Sequence, residues 1–102
     1  MEGRVVNFGI VSGQTCTWIV DEDSLAVGFG ASAVACISRD KTVTASSIQT
    51  PSVTAPDFAV LACTFQTGRQ VILPGVPIYK DEALFVTMST TGFCSLNLTK
   101  VS

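Results

Sequence analysis

Apolar and polar residues alternate most regularly in the last third of the chain, Leu73 to Val101. Leu84, Val86 and Met88 alternate with Phe85, Thr87 and Ser89. Further on, Cys94, Leu96 and Leu98 alternate with Phe93, Ser95, Asn97 and Thr99. Period-2 alternation puts each set on one face of a strand. Between the runs, Thr90-Thr91-Gly92 is predicted to close a β-hairpin. A loop of that length pairs Met88 with Cys94, Val86 with Leu96 and Leu84 with Leu98, so these apolar side chains share a face. A loop one residue shorter or longer would set Val86 against a polar neighbour of Leu96. Gly92 is expected to supply the positive φ that ends such a loop. Phe85 and Phe93 then lie together on the opposite face, among Thr87, Ser95 and Asn97.

The earlier chain carries shorter runs of the same kind. Met1 to Val11 is a short arm and first strand, with Val5, Val6, Phe8 and Ile10 as its apolar content and Gly13 in the turn that follows. Thr15 to Val20 is β-branched and aromatic, with Cys16, Trp18 and Val20 on one face and Trp18 as a core anchor. Ser24 to Ser38 alternates Leu25, Val27 and Phe29 against Ala26 and Gly28, then resumes at Ala33. It forms one strand kinked near Gly30, or two strands. Arg39-Asp40-Lys41 is a polar turn before a short edge strand, Thr42 to Ala45. Ser46 to Pro56 is the longest loop, and Asp57 to Gln66 is a strand with Leu61, Cys63 and Phe65 inward. Thr67-Gly68 turns the chain into Arg69 to Leu73. Pro74-Gly75-Val76-Pro77 then leads to Ile78-Tyr79 and the turn Lys80-Asp81-Glu82. No helical periodicity and no internal repeat are visible. Eight or so short strands, with turn signals every 8–12 residues or so, predict one all-β domain over residues 1–102, an antiparallel β-sandwich.

Composition adds a hint of partners. Of the 102 residues, 47% are hydrophobic and only 14% charged, against a usual charged share of about a quarter. So few charges suggest that part of the surface is covered by other subunits; the alternative is a small neutral domain rich in Ser and Thr. The net charge of −2 and the lack of a basic run argue against nucleic acid. No apolar stretch is long enough for a membrane span. The first residues show no basic segment followed by a long apolar run, so the expectation is a protein kept in the cytoplasm where it is made, unless Met1 marks an engineered start.

Candidate chemistry is sparse. The chain has no histidine, and its cysteines, Cys16, Cys36, Cys63 and Cys94, include no C-x-x-C pair. A zinc site would need a four-thiolate cage drawn from separate strands, and a nucleophilic cysteine would lack its base. The favoured reading is buried free thiols acting as small apolar side chains, with one or two disulfides as the alternative in an oxidising medium. Asp21-Glu22-Asp23 lacks the spacing of a calcium loop and reads as a solvated turn, neutralised by Lys41, Arg39 or a partner's basic residue. Gly28-Phe29-Gly30 has neither the lysine nor the helix of a phosphate loop. Asn97-Leu98-Thr99 matches a glycosylation sequon but lies mid-strand. No catalytic, metal or cofactor site is expected, and the chain is not expected to be an enzyme.

The run LPGVPIYKDEALFVTMSTTGFCSLNL resembles the C-terminal part of small viral jelly-roll proteins: a proline-bearing lead-in, a polar turn, a short Thr/Gly turn and a final aliphatic strand. The run CTWIVDEDSLAVGFGASAVACISRDKTV is similar to their first half, although Ser24 stands where a glycine is common after the acidic turn. Together the two runs cover about two-thirds of the chain. The resemblance is to the capsid decoration, or cement, proteins of tailed bacteriophages. It implies a jelly-roll subunit, often trimeric, seated on the major capsid protein at the virion surface and made in the host cytoplasm. It assigns no role to any single residue. Interface candidates are Phe85 and Phe93 from the strand pattern, together with Tyr79. The alternative is a carbohydrate- or receptor-binding module using Trp18, Tyr79 and Asp81.

Overall fold

The structure, a computed structural model, describes residues 3–43, 60–64 and 70–100. It is all-β, with strands β1 (Gly3–Ile10), β2 (Thr15–Ile19), β3 (Ser24–Ala31), β4 (Ala35–Ser38), β5 (Val60–Thr64), β6 (Gln70–Ile78), β7 (Ala83–Met88) and β8 (Gly92–Lys100). They form two antiparallel four-stranded sheets that pack as a sandwich. The first has the order β1-β8-β3-β6 and the second β2-β7-β4-β5. Strand 1 pairs with 8, 2 with 7, 3 with 6 and 4 with 5. The chain is thus folded at its midpoint into a long double strand and rolled up. That winding is the jelly roll. Every connection except β4–β5 carries the chain from one sheet to the other.

This winding corrects the hairpin expectation. β7 pairs with β2 and β4, whereas β8 pairs with β1 and β3, so the two strands lie in opposite sheets. Leu84, Val86 and Met88 do face Cys94, Leu96 and Leu98, but across the core rather than along one sheet face. A few residues can span either the ~5 Å between paired strands or the ~10 Å between packed sheets. Linker length therefore did not separate a hairpin from an arch. Gly92 also has a different role: its φ is not positive, unlike those of Gly13 and Gly75. A Cβ there would sit 2.3 Å from Ser32 Oγ and 3.1 Å from Met88 Cε, so glycine permits the close approach of the β3–β4 connection.

The core is built from both inner faces, with Phe29, Ile37, Ile78, Leu84, Val86, Leu96 and Leu98 fully enclosed. Trp18 closes its β1/β2 side, half-buried, its ring edge-on to Phe8 at 6.1 Å between centroids. A bulge between Ala26 and Gly28 splits the expected facing of β3: Phe29 is buried as alternation predicts, but so are Ser24 and Ala26, while Leu25 and Val27 stay partly exposed. A second register shift, at Leu61, reverses the facing of β5, burying Ala62 and Thr64. The Thr64 hydroxyl is satisfied there, donating to the Ala33 carbonyl and accepting from the Ala35 amide. Cys63 lies opposite Cys36 and the two form a disulfide; Cys16 and Cys94 are free. Burial, with the nearby Cys16 second, pushes the Cys94 thiol up to about 11. Thr42 sits in a turn in which the Asp40 carboxylate accepts from its amide and hydroxyl, and the rest of the expected edge strand, Thr44 and Ala45, lies outside the described residues. The expected Ser46–Pro56 loop and Phe65 lie outside the described residues.

Candidate interaction surface

Alternation along the first sheet sends one set of side chains outward, and the strand register arranges them in rows. One row runs Asn7, Ser95, Gly30, Gln70, and the next Val5, Asn97, Gly28, Ile72. Gly9 and Phe93 form a row on one side, and Gly3, Thr99, Leu25 and Pro77 a row on the other. No charged side chain occurs in any of these rows. The relief is low because glycines lie beneath their neighbours' side chains. A Cβ on Gly28 would come within 2.9 Å of Asn97 Nδ2, and one on Gly30 within 3.4 Å of Ser95 Oγ. The centre of the face is amide and hydroxyl. Its margins are apolar and open to solvent: Phe93 is 74% exposed, Ile72 89% and Val5 55%.

Among the described residues the charges are elsewhere, and they are segregated. Arg4, Asp21 to Asp23, Arg39 to Lys41, Lys80 to Glu82 and Lys100 all sit at or beside one end of the sandwich, where β1 begins and β8 ends. At that end the Arg4 guanidinium donates to both carboxylate oxygens of Asp21, one of them at 2.8 Å. This contact holds the Asp21 carboxyl below the usual carboxylate range and raises the Arg4 value. Arg4, not Arg39 or Lys41, is therefore the counterion of the acidic turn. Arg39 instead pairs with Glu82 and donates to the Pro77 carbonyl. At the other end, the described turns Val11 to Gln14, Ser32 to Val34 and Ser89 to Thr91 contain no charged residue, and Arg69, which precedes β6 in the sequence, lies outside the described residues. These turns are tied by Ser12, whose amide donates to Thr91 Oγ1 and whose hydroxyl donates to the Ser89 carbonyl.

The three interface candidates are not brought together. Phe93 stands on the open face of the first sheet. Phe85 is half-buried on the outer face of the second sheet, level with Thr17 and Ser38, because β7 belongs to that sheet. Tyr79 is 59% exposed in the β6–β7 turn at the charged end, its amide donating to Glu82 Oε2. A single Phe85/Phe93 patch does not exist. Sequence reasoning missed Ile72 and Val5. The run Val71-Ile72-Leu73 has no visible period, and only counting outward from the exposed Gln70 would have turned Ile72 to solvent.

Among the described residues no group of Cys, Asp or Glu is placed to hold a metal ion. A depression bounded by Arg4, Glu22, Ser24 and Lys100 holds about 70 Å³, far less than the ~300 Å³ of a small ligand site. Trp18 faces inward against Phe8, so it forms no platform with Tyr79 and Asp81. What the described surface offers is an uncharged sheet face with apolar margins. No known protein family, curated protein or solved structure matches the chain.

Proposed function

We propose that the chain is a structural interaction protein, a capsid decoration subunit that seats the outer face of its first sheet on the major capsid protein of a tailed bacteriophage. The observation that carries the reading is that face: uncharged, low in relief, and edged by Ile72, Phe93 and Val5 in solvent. Isolated exposed apolar residues are ordinary, but several on one charge-free sheet face resemble the core of a protein contact more than free surface. The jelly roll serves viral capsid and lectin domains alike, so the fold supports the virion reading by analogy only. Binding the assembled shell in preference to its free subunits stabilises the shell by mass action. The charged end, with its solvated turns, lies to one side of that contact.

The test is to strip particles of the chain and add it back, wild type or with Ile72→Ser and Phe93→Ser together. Wild type should sediment with the particles and raise their thermal midpoint. The double variant should stay in the supernatant while keeping its own melting temperature. A wild-type chain that ignores shells would overturn the proposal. If it instead binds glycans, and Tyr79→Ala abolishes that, the carbohydrate-binding role replaces the structural one.

A further inference from the structure

The sandwich has four edge strands, and they are unequally protected. β6 carries Pro74 and Pro77, which lack an N–H, and is irregular in register with β3 around Gly75. β5 is broken by its shift at Leu61, and β2 spans only five residues. β1 is different. Its eight residues pair with β8 in unbroken register, and between Val5 and Ile10 it has no proline, bulge or charge. Among the described residues, the strand pairs only with β8. A long, regular, uncharged edge is a template for another strand, and monomeric proteins usually blunt such edges.

We propose that β1 is a seam along which two copies of this chain join antiparallel about a two-fold axis, extending the first sheet from four strands to eight. The outward and inward faces match across the seam when the strands centre on Asn7. Val5 of one copy then stands opposite Gly9 of the other, and Val6 opposite Phe8. Gly9 is the place where the Phe93 ring leans toward the edge, with Phe93 Cε1 3.9 Å from the position a Cβ would take. The missing side chain leaves room for the incoming Val5 beside that ring. Two exposed apolar residues that lie rows apart within one copy become neighbours across the seam, and the two-fold repeats the contact. An isologous interface requires this self-complementarity, which favours a second copy over a foreign strand as occupant.

Electrostatics agree. In this register the two Arg4 residues lie roughly 20 Å apart, about two Debye lengths at physiological salt. Each remains tied to its own Asp21. The charged ends of the two copies point in opposite directions, and the open faces merge into one continuous surface.

Sedimentation equilibrium of the full chain at tens of micromolar should give twice the 10.7 kDa chain mass. Val5→Lys, at an exposed site, should raise the concentration for half-dimerisation by at least about tenfold and leave the melting temperature of the dilute monomer unchanged. Under mild oxidation Asn7→Cys should form a covalent dimer. Gln70→Cys, on the same face but at the β6 edge, should not. Ile72→Ser should leave the dimer intact, which separates this seam from the shell contact. A wild-type chain that remains monomeric would overturn the proposal, and so would a larger assembly that survives Val5→Lys. Cross-linking of Asn7→Cys to a shell protein instead of to itself would give the edge to a partner's strand and overturn self-pairing.

Discussion

The two outer faces of the sandwich come from the same number of strands and the same alternation, yet they are covered unequally. On the first sheet Phe93, Ile72 and Val5 stand in solvent around a centre of Asn97, Ser95 and glycine. On the second, Thr15, Thr17 and Ile19 of the edge strand β2 are exposed, but further in Cys36, Ser38 and Thr87 are buried, Phe85 is half-buried, and a disulfide joins Cys36 to Cys63. Period-2 patterning decides which side chains enter the core between the sheets. It does not decide which of the outward sets stays open. Phe85 and Phe93 look equivalent in the sequence and differ only because consecutive strands enter different sheets.

The strongest way to break the contrast is to collapse the core that holds the faces apart. Leu96 is fully enclosed in the middle of β8. Leu96→Ala should destabilise the fold by about 2–5 kcal/mol, a large part of a typical domain's ~5–15 kcal/mol, read as a lower denaturant midpoint. Both outer faces should suffer equally. The disulfide belongs to the second sheet alone. Replacing Cys36 and Cys63 with alanine should cost about 2–4 kcal/mol, mainly by freeing the unfolded chain. The double variant should still dimerise below its melting temperature, because β1 and β8 are not touched. Loss of self-association in a folded double variant would show that the two sheets are coupled.

The sharpest comparison sets the two phenylalanines against each other. Phe85→Ser should cost about 1–3 kcal/mol because it opens a half-buried site. Phe93→Ser should move stability by no more than about 0.5 kcal/mol while weakening association. Matched stability losses would mean that Phe93 is structural and the open face is not an interface.

Much of the fold was legible because local rules governed it. The strands at Gly3–Ile10 and Thr15–Ile19, the turn glycine Gly13 and the inward set Leu84, Val86, Met88, Cys94, Leu96 and Leu98 follow from alternation and turn chemistry. What was not legible depended on distant partners. A short linker serves a hairpin and an arch equally well, so the sheet membership of β7 and β8 was hidden. The single-residue shifts at Val27 and Leu61 split the facing of β3 and reversed that of β5, and no residue type announces such a shift. The Cys36–Cys63 bond exists because β4 and β5 are adjacent in register, a pairing that lies across the longest connection in the chain. The same holds for the candidate surface: Phe93 was visible as an outward aromatic, whereas its partner Gly9 and the other exposed residue of the edge strand, Val5, come from the opposite end of the sequence.

The smallest expected effect concerns the charged end, which belongs to neither face. Asp21 has its carboxyl held below the usual range by Arg4, and Asp40 has its own lowered by the amide and hydroxyl of Thr42. A depressed folded value means that each ionised group favours the native state at neutral pH. That contribution persists down to the ordinary value of 3.8 and is lost as pH falls through the lower folded value. Asp21→Asn should therefore lower the denaturation midpoint slightly at neutral pH. The gap from wild type should close only in strong acid, and added salt should narrow it because the pair is exposed. Dimer mass and shell binding should not change between wild type and variant. If Asp21→Asn dissociates the dimer, Arg4 was being held off the seam by its carboxylate partner, and the freed guanidinium would then locate the charge-sensitive end of β1.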